Sequence, residues 1–345
     1  QALKDNTTGT TNVAMGASSL LFQTTGSDNT AVGVNALRHN TTGSSNTAYG
    51  SSALYGQSGQ STGGNNTAVG YRAGLYMTSG NNNTAIGKDA LQANTSGGLN
   101  VAIGVAALMS NTTGSQNVAI GYEALDASQT TSSSVAIGNR ALTKATSGDV
   151  NIAIGGGALH ENVTGNNNVA VGRAALYHNG NNTNTAVGSL SMYLNTSGYN
   201  NTALGAGSFQ NNTTASEGVA IGRSALGNNT TASANTAVGF EACKLNTTGN
   251  SLVAVGHKAL DANTEGNNNV AVGRNALTSN QTGATNTAVG HHALEDCTGS
   301  DNTVVGGFAG SSINSGTRNT ALGYGACDAV TTGSDNIGIG YNGCG

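Results

Sequence analysis

Apolar and polar positions along this chain recur on a long fixed period, without the 3.6-residue rhythm of an amphipathic helix. The recurrent core is Asn, then Thr or Val, then Ala, then Val, Ile or Leu, closed by Gly. It reads "NTAVG" at 29–33 and "NVAIG" at 100–104. The closing glycines fall at 16, 33, 50, 70, 87, 104, 121, 138, 155, 172, 188, 205, 222, 239, 256, 273, 290, 306, 323 and 340. Of the nineteen intervals between them, sixteen are 17 residues, two are 16 and one is 20. The unit approximates N-T-A-V-G-x-x-A-L-x-x-N-T-T-G-x-x, and a period of this kind decides the architecture before any local propensity does.

Each column of the repeat carries a physical expectation. Ala stands two residues before the closing glycine in eighteen of twenty units, Val304 and Gly338 being the exceptions. Such a column belongs where backbones approach closely. The residue before the glycine is a β-former suited to a half-buried pleated surface. The glycine predicts a corner with positive φ or close backbone approach. Ala and Leu follow three and four residues later, as in Ala36-Leu37. The "NTTG" segment supplies turn chemistry. Seventeen residues are too few for a helix-turn-helix unit and suit one turn of a solenoid, whose coils stack about 4.8 Å apart. The expected fold is all-β: a parallel β-solenoid, or β-roll, of about twenty 17-residue coils, continuous over 1–345. Copies of Asn in register predict amide ladders. The single long interval places its extra residues in 55–66, as a surface loop.

A coil with about four apolar positions, two of them Ala, buries little surface against the backbone entropy of ordering it. Stacking many coils is one remedy and side-by-side association of chains is another. The Ala column is the expected association face of a homotrimer; a monomeric solenoid is the alternative. Both ends fall inside a repeat. That suggests a segment of a longer fibre, or ends that stack on neighbouring molecules.

Composition narrows the function classes. Charged residues make up 8% of the chain and aromatic residues 4%, with 53 glycines and no proline, far from an ordinary globular enzyme. A net charge of -4 without Lys/Arg clusters gives no reason to expect nucleic acid. No apolar run is long enough for a membrane helix. Without C-x-x-C or H-E-x-x-H, no metal or other cofactor is expected.

"NTTGSQNVAIGYEAL" (111–125) resembles repeats of bacteriophage tail-fibre proteins. The "NVAIG" and "NVAVG" cores at 100–104, 117–121, 168–172 and 269–273 resemble the motif of trimeric autotransporter adhesin heads, which have a shorter repeat. The resemblance covers essentially the whole chain. It implies a left-handed parallel β-roll, trimerisation, and a place in an extracellular fibre on a virion or cell surface.

The two positions after the closing glycine vary most and hold seven of the twelve Lys and Arg residues. Tyr71, Arg72, Tyr122, Arg173, Phe240, His257, His291 and His292 are the candidate contact residues there, for a surface glycan or receptor. Solvated decoration that keeps the surface soluble is the competing reading. Cys243, Cys327 and Cys344 stand in the Leu column, and Cys327 and Cys344, one coil apart, lie within disulfide reach. The expected function is a non-catalytic structural and adhesive rod. The alternatives are an ice-binding solenoid, through stacked Thr such as Thr30, Thr47, Thr67 and Thr84, and a polysaccharide-degrading tailspike-like enzyme. The last would need converging carboxylates, and the sixteen acidic residues are scattered.

Overall fold

A computed structural model describes residues 1–57 and 61–344. Among these residues there is no helix, and every repeat contributes one three-residue strand. The chain divides into two compact units, Gln1–Arg173 and Ala174–Gly345. The first holds β1 (Val13–Met15) to β10 (Val169–Val171), and the second β11 (Thr185–Val187) to β20 (Ile337–Ile339). Within each unit every strand pairs in parallel with the strand of the next repeat, column on column. Val101, Ala102 and Ile103 face Val118, Ala119 and Ile120 in the first unit. Thr202, Ala203 and Leu204 face Val219, Ala220 and Ile221 in the second. The protein is therefore a parallel β-solenoid with turns of about 17 residues, as its periodicity predicts. Of the stretch expected to hold the extra loop, residues 58–60 lie outside the described residues. Beside them Asn40 bridges Ser61 in parallel.

The strand alternates strictly. Its middle residue points inward and its two flanking residues point outward, the period-2 consequence of a pleated backbone. Ala31, Ala102, Ala119, Ala220 and Ala271 are all fully buried. This corrects the expectation that the Ala column forms the association face. Ala lines the interior, where rungs leave room for one methyl group, and the neighbouring Thr, Val and Ile columns are the outward, half-buried to exposed ones.

The closing glycine makes the first corner. In the first unit its φ lies between 129° and 137°. A Cβ on Gly121 would come within 2.5 Å of the Gly138 carbonyl oxygen on the next rung. Two and four residues later the chain adopts left-handed backbone, at Glu123 (φ 51°) and Leu125 (φ 53°), and again at Ser133 (φ 56°). Left-handed backbone at a leucine costs roughly 1–2 kcal/mol. Inter-rung bonding offsets it: Leu125 N–H donates to the Ala141 carbonyl at 3.0 Å, and Glu123 N–H to Val105 at 3.1 Å.

The interior is small and unusually polar. Leu108, Leu125, Leu142 and Leu159 stack in one fully buried column. Two buried asparagine columns complete it. In the first, Asn100 Nδ2 donates to Asn83 Oδ1 at 3.1 Å, and the Asn100 backbone N–H donates to the same oxygen at 3.0 Å. In the second, Asn111 Nδ2 donates to Asn94 Oδ1 at 2.9 Å. The columns share an acceptor, since the Gly114 carbonyl takes a bond from Asn100 at 2.9 Å and from Asn111 at 3.0 Å. Buried amides are tolerated because nearly every donor and acceptor is matched. The second unit repeats the arrangement, with Asn263 donating to Asn246 at 2.8 Å and Asn319 to Asn302 at 3.0 Å.

Where one column changes, another compensates. Phe209 replaces Leu, and Gly218 stands where the first ladder expects Asn; a Cβ there would lie 2.6 Å from the Phe209 ring. Around Gly306, Val304 replaces Ala, Gly310 replaces Leu, and Ile313 replaces Asn. A Cβ on Gly310 would meet Ile313 at 3.0 Å and Leu294 at 3.1 Å. Volume is conserved within the coil, as close packing demands.

Candidate functional site

Two surfaces stand out on the rungs. The first is the strand face. Each of the twenty strands presents two outward side chains, and none of them is charged. They are almost all Thr, Val, Ile and Leu. Ile152, Ile154, Leu204, Leu322 and Val305 are exposed large apolar residues on this face. Thr occupies the first outward position at Thr30, Thr47, Thr67 and Thr84 in the first unit. In the second it does so at Thr185, Thr202, Thr236, Thr287, Thr303 and Thr320. Ten rungs at about 4.8 Å, each some 10 Å wide, make a flat patch on the order of 500 Å² per unit. Patches of that size on a protein surface mark interaction sites.

The second surface begins just after the closing glycine. In the second unit it forms a stripe along successive rungs. The Arg223 guanidinium lies 5.7 Å from the Phe240 ring centroid. Phe240 stacks on His257 at 5.3 Å. Arg274 Nη1 lies 3.5 Å from His291 Nε2. His291 and His292 pack edge-to-face at 4.0 Å, and Phe308 stacks on His292 at 5.1 Å. Phe308 meets Tyr324 at 5.8 Å, and Tyr324 stacks on Tyr341 at 5.5 Å. Desolvation, with His292 and Arg274 nearby, moves the His291 imidazole below its ordinary range. His292 Nδ1 is 2.5 Å from Glu295.

In the first unit the candidate residues do not join into one stripe. Tyr71 is exposed, with the Arg72 guanidinium 5.2 Å from its centroid, and Arg72 is tied to Asp89 at 2.7 Å. Tyr122 is exposed, with Arg140 over its ring. Arg140 pairs with Glu123 at 2.7 Å, and hydrogen bonds from Tyr122 and Arg140 hold the Glu123 carboxyl below its ordinary range. Arg173 is exposed. These ion pairs join successive rungs and brace the surface. A smaller ring cluster, Phe22 stacked on His39 at 4.9 Å with Tyr55 edge-on, occupies the column five and six residues past the glycine.

The structure thus brings together Phe240 with His257, His291 with His292, and Tyr71 with Arg72. Phe308, Tyr324 and Tyr341 are the aromatic stripe members not singled out from the sequence. The signal that finds them is their offset of one or two residues from Gly306, Gly323 and Gly340. The four cysteines are free thiols. Cys243, Cys297 and Cys327 are buried and Cys344 is exposed. Burial pushes the Cys297 thiol up to about 11. A Cβ on Gly338 would lie 2.9 Å from Cys344 Sγ and closer still to Cys327 Sγ, so that glycine makes room for both sulfurs.

Among the described residues no three His, Cys, Asp or Glu side chains converge as a metal site would require, and no helix is long and apolar enough to cross a membrane. No protein-family model matches the chain, and no curated protein matches it significantly.

Proposed function

We propose that the protein is a non-catalytic structural and adhesive element of an extracellular fibre, whose copies associate side by side through the strand face. The observation that carries this reading is the uncharged outward pair on every strand. An isolated soluble surface would intersperse charges there. A second copy presents the same columns at the same rung spacing, so β-branched side chains of one face meet those of the other in register. Homotrimerisation is the closed arrangement proposed for such a face. A repeated surface also multiplies weak contacts with a host or substratum by avidity.

Sedimentation of the purified chain tests the association. A concentration-independent oligomer is expected, dispersed by the paired substitutions Val118→Lys with Ile120→Lys and Val270→Lys with Val272→Lys. A parent chain that stays monomeric at high concentration overturns the reading.

The regular Thr and Val columns favour a second reading, in which the same face binds ice. A flat array of small, uncharged β-branched side chains orders water without strong local hydration. Thermal hysteresis of the monomeric chain, lost in the same lysine variants, would establish it in place of self-association.

A further inference from the structure

We infer that the second unit carries a binding stripe for a neutral, linear polysaccharide, running along the rungs from Arg223 to Tyr341. This rests on the adhesive reading and names the ligand of that adhesion. Four observations support it.

The stripe is continuous. From Gly222 to Gly340 every rung places an arginine, imidazole or aromatic ring one or two residues past its glycine. The first unit's equivalent column is interrupted at the rungs of Ser51, Lys88, Val105 and Gly156.

The side chains are both exposed and held. Tyr324 and Tyr341 are 52% and 77% exposed, yet each stacks on the other. Phe240 and Phe308 are likewise exposed while packed against His257 and His292. Rings ordered before binding lose little entropy on contact, the usual advantage of pre-organisation.

The polar edge consists of donors. Arg223 and Arg274 enter no ion pair among the described residues, whereas Lys244, Lys258 and Arg318 are each paired with a carboxylate. Two guanidinium groups, His291 and the tyrosine hydroxyls form a row suited to the hydroxyl oxygens of a sugar chain. The adjoining rings meet its C–H surfaces. Rungs about 4.8 Å apart advance by slightly less than one sugar residue each, so a straight glycan keeps register with several successive rungs.

The field excludes a polyanion. Between Ala174 and Gly345 there are nine Asp and Glu residues against five Lys and Arg. Single-stranded nucleic acid would need a basic groove beside the rings, and an acidic glycan would face the same repulsion. A neutral chain does not.

Affinity electrophoresis of the full chain in gels containing hydroxyethyl cellulose, mixed-linkage β-glucan or xylan tests this, with polygalacturonate and oligothymidylate as charged comparisons. Retardation by at least one neutral glycan is expected. Phe308→Ala with Tyr324→Ala, and separately Arg274→Ala, should each weaken it about tenfold, while Tyr199→Ala, at an exposed tyrosine outside the stripe, leaves it unchanged. Circular dichroism checks that each variant keeps the parent fold. The inference is overturned if no neutral glycan retards the chain, if the stripe variants bind like the parent, or if polygalacturonate or oligothymidylate retards it more strongly. Sedimentation of the same preparations separates the two readings: oligomers that fail to bind any glycan remove the stripe's ligand and leave the fibre reading standing.

Discussion

Asn111 donates to Asn94 at 2.9 Å, yet its own Oδ1 meets no donor, because the next rung carries Ser128 in that column. The Ser128 hydroxyl is buried and equally without a partner. A ladder that bonds rung to rung ends where one side chain is too short to reach, and two buried polar atoms are left over.

Ser128→Asn should therefore extend the ladder, supplying a donor to Asn111. A stabilisation of about 1 kcal/mol is expected, the scale of a buried hydrogen bond made good. The opposite change, Asn246→Ala, removes bonds to Asn229 at 2.7 Å and to the Gly249 carbonyl at 2.9 Å. It should cost about 2–3 kcal/mol. Because repeat arrays lose cooperativity, amide exchange around the altered rung is a cleaner readout than a single melting midpoint.

Two glycines two residues apart should differ in their tolerance of a side chain. Gly205 has φ 134° and a Cβ there would lie 2.6 Å from the Gly222 carbonyl oxygen. Gly205→Ala should destabilise by at least about 1–3 kcal/mol from backbone strain alone. Gly207 has φ 63°, in a column where Asn35 and Asn275 adopt 60° and 55°. Its nearest obstacle is the Gln210 side chain at 3.1 Å. Gly207→Asn should be close to neutral in urea unfolding.

The interior position of the Ala column can be checked by overpacking it. Ala119 is fully buried between rungs. Ala119→Leu should cost about 1–3 kcal/mol or more, while Val118→Thr on the neighbouring outward column should shift stability by no more than about 0.5 kcal/mol. Equal effects in chemical denaturation would contradict the assigned facing of the strand.

Burial, reinforced by Glu123, raises the Asp126 carboxyl above the ordinary Asp range. The native state then holds that proton more tightly than the unfolded chain does. Its contribution opposes folding above the folded pKa and fades as pH falls through it towards the ordinary Asp value. Asp126→Asn should stabilise the protein at neutral pH by up to about 0.5 kcal/mol, a modest effect for a half-exposed group. The gain over the parent should vanish below about pH 3.5. Melting curves of both proteins at the two pH values measure it.

Thiol reactivity should follow exposure. Cys344 is exposed, whereas Cys243 is fully buried and its thiol is pushed far up by burial and Asp261. Iodoacetamide should label Cys344 first and Cys243 only on unfolding, as mass spectrometry of peptides can show.

The repeat alone determined the fold class, the turn of about 17 residues, the glycine corner and the asparagine ladders. Each of these depends on a residue meeting its own copy on the next rung, so a period in sequence becomes a period in space. Facing required the tertiary structure. Ala and Val are adjacent apolar columns, and only the placement of the corners shows that the methyl column points inward while the larger residues point out. The exchange of Asn for Gly at Gly218 against Phe209, and the joining of Phe308, Tyr324 and Tyr341 into one stripe, likewise depend on which side chains the winding brings into contact. A period says that columns exist; the left-handed turns at Glu123, Leu125 and their counterparts decide which column meets water.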